Sequence, residues 1–330
     1  LLATLKSNGI DHVALEASSH GLHQSRLDGV QFSGAGFTNF SHDHLDYHNS
    51  LDEYFEAKAL LFRQLLPSDK TAVINVDDKR IKVFGEELKA IGHSVVTLGV
   101  SGEPNIKLKK QSFDSSGQNI FFDYDGRLYQ KRLNLIGGFQ AQNVLMAAAL
   151  VISLGSDPQD VFSVLHNLLT VKGRMELAAS RANGANVFID YAHTPDAIET
   201  AITSLRPHVF GRIIAVIGAG GDRDQSKRPL MGLAASKTAD VVIVTDDNPR
   251  SEDPAKIRQM IIKGIGPGIS HECGDRAEAI LRAVDMLDVG DALLICGKGH
   301  ETGQVIGEDV LPFDDAEQAS ISVEALDGVV

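Results

Sequence analysis

The segment SHDHLDYH, residues 41–48, sets three histidines and two aspartates within eight positions. His42, His44 and His48 with Asp43 and Asp46 are of the types that chelate zinc; a polar surface loop has the same composition. Upstream, EASSHGLHQSR (16–26) places Glu16 ahead of two serines and Arg26. That carboxylate could hold Mg²⁺, which takes oxygen donors and retains several waters. Equally, Glu16 could stand exposed while Ser18 or Ser19 caps a helix.

The second half of the chain has its own polar motifs. AVIGAGGDRDQSKRP (215–229) reads as strand, glycine turn, helix, with Gly218 and Gly220 in a dinucleotide-like spacing, but the third glycine position is Arg223. The fingerprint needs glycine there for close helix packing, so a nicotinamide or flavin site is disfavoured. Arg223, Lys227 and Arg228 instead crowd a helix N-terminus that suits carboxylate or phosphate. TDDNPRSEDP (245–254) offers Asp246, Asp247, Asn248 and Arg250 at a strand end. Acceptors beside a guanidinium fork suit an amino acid, and a solvated turn punctuated by Pro249 and Pro254 is the plain alternative. CGKGHE (296–301) adds Lys298, His300 and Glu301 at the same sheet edge, without the Gly-x-Ser-x-Gly of a nucleophile elbow. IDYAHTPDA (189–197) brings Asp190 and His193 before a Pro195 helix start. Three polar strand ends converging in one region weigh against a purely structural reading.

The elements that must carry these residues alternate. HVALEAS (12–18), GAGFTNF (34–40) and TAVINVDD (71–78) read as short buried strands, and LDEYFEAKALLFRQLL (51–66) as a helix stopped by Pro67. Residues 103–135 read as antiparallel strands turning at Asp125-Gly126, followed by helices near 140–154 and 158–169. After TVKGRMEL the alternation restarts, with helices near 195–206, 227–238, 254–264, 275–287 and 315–325. Strands alternating with such helices imply α/β units with mostly parallel sheets and crossover helices. The division expected is 1–172 and 173–330. Over 330 residues the chain is 43% hydrophobic and 23% charged, with a net charge of −13. That charge argues against general nucleic-acid binding. No apolar run nears the ~18–20 residues of a membrane span. Cys273 and Cys296 form no CxxC pair, which favours a reducing, cytoplasmic setting.

Taken together, EASSHGLHQSR, TNFSHDHLDYH, EAK, GRMEL, DYAHTPDA, GGDRDQSKRPLM, TDDNPRSEDP and CGKGHE resemble the Mur ligase family, in the family's order. The resemblance implies a central ATPase domain with a mostly parallel sheet and a small antiparallel part, then a Rossmann-like C-terminal domain. It implies ATP-dependent amide formation between meso-diaminopimelate and UDP-N-acetylmuramoyl-L-alanyl-D-glutamate, through an acyl phosphate, in peptidoglycan precursor synthesis. Glu16 and His44 would be Mg²⁺ ligands, and Lys58, as a carbamate, would hold or orient that ion. Ser18, Gln24 and Arg26 match positions touching the muramoyl dipeptide. Asn143, Arg174, Asp190 and His193 match ATP-contacting positions. Arg223, Asp247, Asn248, Pro249, Arg250, Gly297 and Glu301 match the diaminopimelate pocket, where Arg250 would meet a distal carboxylate that lysine lacks. A lysine-adding or folylpolyglutamate-type ligase, or a non-catalytic amino-acid-binding remnant, are the competing expectations. No Gly-Lys-Thr phosphate loop precedes EASSHGL, Gly137-Gly138 being too short. A chain starting inside the central domain, a monomer with little ligase activity by itself, is the expectation.

Overall fold

The computed structural model describes residues 2–41, 47–266 and 268–328. Its first α/β unit runs α1 (Leu2–Ser7), α2 (Ser19–His23), β1 (Gly34–Phe37), α3 (Leu51–Leu60), β2 (Thr71–Asn75), α4 (Lys79–Ala90) and β3 (Ser94–Gly99). It continues with β4 (Ile106–Asp114), β5 (Gly117–Tyr124), β6 (Arg127–Leu133), α5 (Gln140–Ser153) and α6 (Pro158–Ser163). The sheet order is β1-β2-β3-β4-β5-β6, parallel through β4 and antiparallel from β4 to β6. Asp125 and Gly126 both take left-handed backbone, φ 51° and 71°, and so close the β5–β6 hairpin as the Asp-Gly pair predicts. One core cluster stacks Phe37 against Phe55 and Phe62. Another sets Phe122 and Ile120 with Val144 and Leu145 of α5.

Three expectations fail in this unit. The helix expected over 158–169 stops at Ser163, with only a 3-10 turn over Leu165–Asn167 beyond it. HVALEAS forms no strand, and Val13 and Leu15 are 49% and 40% exposed. An apolar run becomes a strand only when a neighbour takes its backbone groups, and among the described residues no strand pairs with it. The helix expected over 51–66 is α only to Leu60, then a π turn over Leu61–Leu65. His93 meets that turn, its Nε2 3.0 Å from the Phe62 carbonyl.

The second unit holds β7 (Arg174–Ser180), β8 (Asn186–Asp190), α7 (Pro195–Leu205), β9 (Ile213–Ile217), α8 (Lys227–Thr238) and β10 (Val241–Val244). Then come α9 (Pro254–Ile262), β11 (Ser270–Glu272), α10 (Arg276–Asp285), β12 (Ala292–Cys296), β13 (Gly303–Ile306), β14 (Asp309–Pro312) and α11 (Asp315–Asp327). The main sheet is ordered β11-β10-β9-β12-β8-β7, all parallel except the β7 edge. Every residue of β9 and β12 is buried, as expected of strands covered by helices on both faces. Four of these five helices start on side-chain caps, Thr194, Asp253, Asp275 and Asp314 each accepting a backbone N–H from the following turn, while Ser226 before α8 makes no such bond. The antiparallel β7 and the β13–β14 hairpin go beyond the expected pattern. Arg174–Ser180 is mostly polar or half-exposed and breaks register twice against β8, so it lacks an apolar strand signature.

His208 joins the two units. Its Nε2 accepts the Gly137 N–H at 3.1 Å, and its Nδ1 lies 2.7 Å from the Asp114 carbonyl. The neutral ring with Nδ1–H satisfies both. Burial pushes the His208 pKa below its ordinary 6.5; Arg132 adds to this, while Asp114, paired with Arg132, opposes it. A depressed histidine value means the unfolded chain binds the extra proton first. The stabilisation is therefore complete above 6.5 and is lost as pH falls through the lower folded value. Thermal unfolding midpoints should fall between about pH 7 and about pH 5. That dependence should flatten in His208→Phe; an unchanged slope would remove His208 as its source.

Candidate active site

The polar motifs of the second unit meet outside the carboxyl ends of its parallel strands, where open sheets bind ligands. Strands β10, β9, β12 and β8 are neighbours, so the loops that follow them form one row. The loop after β10 is a rigid scaffold. Arg250 adopts φ 51°, its backbone N–H donates to the Val305 carbonyl at 3.0 Å, and its own carbonyl accepts from Gly307 at 2.8 Å. The β13–β14 hairpin thus clamps the tetrad from outside. Gln304 Nε2 adds a 2.7 Å bond to the Asp247 carbonyl. Arg250 donates one nitrogen to the Gly221 carbonyl at 2.7 Å. No other side-chain hydrogen bond engages its guanidinium among the described residues, so the remaining fork is available to an anion.

Asn248 is buried and nearly spent: Oδ1 accepts from Val305 N–H at 2.9 Å and Lys298 Nζ at 3.1 Å, and Nδ2 donates to Glu301 Oε2 at 2.9 Å. Asp247 is buried beside Gly297, which sits at φ 115° with its N–H bonded to the Asp190 carbonyl. The φ of Gly297 favours glycine, and a β-carbon there would stand 2.5 Å from Asp247 Oδ2 and push that carboxylate aside. Arg223 is exposed, in the loop after β9. The structure thus brings Asp247, Asn248, Pro249, Arg250, Gly297 and Glu301 into one neighbourhood.

Next to it lies a second group. Asp190, at the end of β8, is buried with Oδ2 accepting from Met175 N–H at 2.8 Å and Oδ1 from Ala192 N–H at 2.9 Å. Burial pushes its pKa up, while these two donors and nearby Arg174 pull it down. Arg174 lies over the Tyr191 ring at 4.8 Å, and Tyr191 packs against His193 and His300. His193 Nδ1 bonds the Tyr191 carbonyl at 2.7 Å. Gly173, at φ 71°, lies so close to the Gly299–His300 backbone that a β-carbon would collide with it. The joint between the units therefore presses directly on the CGKGHE loop. Asn143 is exposed at the start of α5, on the first unit.

On the first unit, Ser18 caps α2 by accepting the Gly21 N–H at 3.1 Å, the structural role foreseen as an alternative. Gln24 accepts from Arg26 at 2.6 Å and donates to the Tyr47 hydroxyl at 3.1 Å. Glu16 is an exposed carboxylate on an unpaired segment, not at a strand end. Lys58 is half-buried in α3, its Nζ 5.1 Å from the Tyr54 ring centroid, directly before the π turn. His48 is buried, with Nε2 3.0 Å from Ser19 Oγ. His42, Asp43, His44 and Asp46 lie outside the described residues, so the Glu16–His44–Lys58 set has no geometry here. Among the described residues no three His, Cys, Asp or Glu side chains gather as a metal site. The donor set fits Mg²⁺ in part: Glu16 supplies carboxylate oxygens, and Lys58 could do so only as a carbamate.

Sequence reasoning missed Tyr191, Gln304 and Arg276. The Arg276 guanidinium is fully buried, paired through two nitrogens with Asp315 at 2.7 Å each, and bonds the Cys296 carbonyl at 3.0 Å and the Asp246 carbonyl at 3.3 Å. It ties the ends of β10 and β12 to α11, and nothing in its sequence neighbourhood advertises that. Burial pushes the Cys296 thiol far above the ordinary range, which leaves it inert as a nucleophile.

Comparisons with known proteins place the chain in a family. Residues 1–151 match the Mur ligase middle domain, and residues 173–299 match the Mur ligase glutamate ligase domain. A UDP-N-acetylmuramoyl-L-alanyl-D-glutamate--2,6-diaminopimelate ligase of Caulobacter vibrioides is 46% identical over 329 residues, covering 100% of this chain and 66% of that protein. The Bradyrhizobium diazoefficiens protein of the same description is 47% identical over 321 residues, covering 96% and 65%. This chain thus spans just under two thirds of the length of these relatives. A solved ligase structure of the same description superposes with TM-score 0.64 at 35% identity, covering 94% of this chain and 64% of that one. MurF ligase from Thermotoga maritima, in complex with ADP, shares the fold at TM-score 0.69 and 16% identity, covering 94% and 65%. No helix among the described residues is long and apolar enough to cross a membrane. Two successive domain matches, and relatives near half identity along essentially the whole chain, establish that it belongs to the Mur ligase family.

Proposed function

We propose that the chain carries the amino-acid pocket and part of the ATP-dependent centre of a ligase that joins meso-diaminopimelate to UDP-N-acetylmuramoyl-L-alanyl-D-glutamate. The observation that carries this reading is Arg250. Its backbone is fixed at φ 51° by the β13–β14 hairpin, and its guanidinium has one nitrogen committed to Gly221. The remaining fork suits a carboxylate bidentately. Glu301, anchored through Asn248, faces the same neighbourhood and suits an ammonium. A carboxylate and an ammonium on one distal carbon describe meso-diaminopimelate; lysine offers only the ammonium.

In this reaction the D-glutamate side-chain carboxylate takes the γ-phosphoryl group of ATP, releasing ADP and forming an acyl phosphate. The diaminopimelate amine then attacks the acyl carbon, and phosphate leaves. Holding the amine in place lowers the entropic part of the barrier, and that is the work of Arg250, Glu301 and the rigid tetrad. Asn143, Arg174, Asp190 and His193 are assigned to ATP; the Arg174 cation beside Tyr191 suits phosphate charge. Ser18, Gln24 and Arg26 are assigned to the muramoyl dipeptide, and Arg223 to the incoming amino acid. When bound, Mg²⁺ would neutralise phosphate charge; Glu16, His44 and carbamylated Lys58 are the residues assigned to hold it. The chain is taken to act as a cytoplasmic monomer.

Calorimetric titration of the chain with meso-diaminopimelate and with L-lysine tests the pocket directly. The expected result is a preference of about 10- to 100-fold for diaminopimelate, the worth of one charged hydrogen-bond pair. Equal affinities, or tighter lysine binding, would refute the specificity.

A further inference from the structure

Lys298 is a fully buried lysine that the assigned pocket does not use. Its ammonium has three partners: the Gly303 carbonyl at 2.6 Å, Asn248 Oδ1 at 3.1 Å and Glu301 Oε2 at 3.4 Å. A buried ammonium has three N–H groups to satisfy and is costly unless each finds an acceptor. Here the three acceptors come from the β10 loop, the β12 loop and the start of the β13 strand. We propose that Lys298 is a positioning residue that sets the orientation of Glu301 and Asn248 for the amino group of the incoming substrate. The inference rests on the pocket reading above and goes beyond it.

The argument is one of satisfied valences. Glu301 Oε2 receives both Asn248 Nδ2 and Lys298 Nζ, so this oxygen is held inward. Glu301 Oε1 has no hydrogen bond among the described residues, and the side chain is 35% exposed. One oxygen is thereby tethered and the other presented to a ligand ammonium. Asn248 Oδ1 is held between Lys298 and the Val305 N–H, which fixes which end of the amide faces Glu301. Removing the ammonium takes away one anchor from each side chain and frees the carboxylate to rotate. Lys298 touches no substrate atom in this scheme; it acts through Glu301.

The test compares two ligands, meso-diaminopimelate and 2-aminopimelate, which lacks the distal ammonium but keeps the distal carboxylate. For the wild-type chain, calorimetry should show meso-diaminopimelate bound at least about tenfold more tightly. In Lys298→Met that ratio should fall below about threefold, because a loose Glu301 no longer discriminates. A lysine that served stability alone would lower the unfolding temperature and leave the ratio unchanged, and that result overturns the assignment. If Lys298→Met does not fold, Lys298→Gln carries the same comparison, since its amide retains an N–H for the Gly303 carbonyl. Failure of both variants to fold assigns Lys298 a structural role and overturns the proposal. A wild-type chain that binds neither amino acid overturns the pocket reading together with this one; an unchanged ratio overturns this one alone.

Discussion

Replacing Arg276 with leucine is expected to destabilise the second unit by about 3–5 kcal/mol. The mutation would leave the Asp315 carboxylate buried, at 0% side-chain exposure, without the cation that faces it. It would also strip hydrogen bonds from the Cys296 and Asp246 carbonyls, at the ends of β12 and β10. Against a total stability of about 5–15 kcal/mol for a typical domain, such a loss is a large fraction. Chemical denaturation should show the midpoint moving sharply to lower denaturant, with amino-acid binding lost in step. The paired change Arg276→Leu with Asp315→Leu should recover much of the loss, since hydrophobic replacement of a whole buried pair is often tolerated. A single variant as stable as the parent would mean that the pair is not buried in solution.

Arg250→Ala should act differently: affinity for meso-diaminopimelate falls by about 10- to 100-fold while L-lysine binding barely changes. The asymmetry follows from which ligand atom the guanidinium meets. Lysine has no distal carboxylate, so it loses nothing when the fork is removed. The fold should survive, because among the described residues Arg250 contributes one side-chain hydrogen bond, to Gly221. Its backbone bonds to Val305 and Gly307 do not need the side chain. Alanine at φ 51° keeps the left-handed strain that arginine already bears. Parallel titrations with both amino acids read the result; an equal drop for both would show that Arg250 props up the loop rather than selecting the ligand.

These two arginines mark how differently the sequence exposes its contents. Arg250 is legible because Asp-Asn-Pro-Arg follows an apolar run, so the residues are placed at a strand end before any coordinates exist. Glu301 is placed at a strand end in the same way in CGKGHE, whereas Gly297 is singled out only through the family resemblance. Arg276 is not: it opens an ordinary helix behind Asp275, and its partner lies 39 residues further on. The HVALEAS segment shows the opposite failure, a strand-like pattern without a pairing partner among the described residues. Periodicity reports which face is apolar, whereas a strand exists only as one side of a hydrogen-bonded ladder.

The sequence by itself determined the α/β alternation, the helix starts and the polar strand ends, because caps, prolines and apolar periodicity are local properties of the chain. Only the tertiary structure decided that β12 inserts between β9 and β8, and so sets CGKGHE beside the β8 and β9 loops. Only it decided that a late hairpin locks the tetrad, that His208 bridges the two units, and that Lys298 spends its charge on Asn248 and Glu301. Those contacts join residues tens of positions apart, and their energies depend on burial and direction, which no local pattern encodes. The SHDHLDYH motif at the outset keeps one of its three histidines within the described residues. His48 is buried against Ser19, the place of a packed, hydrogen-bonded side chain.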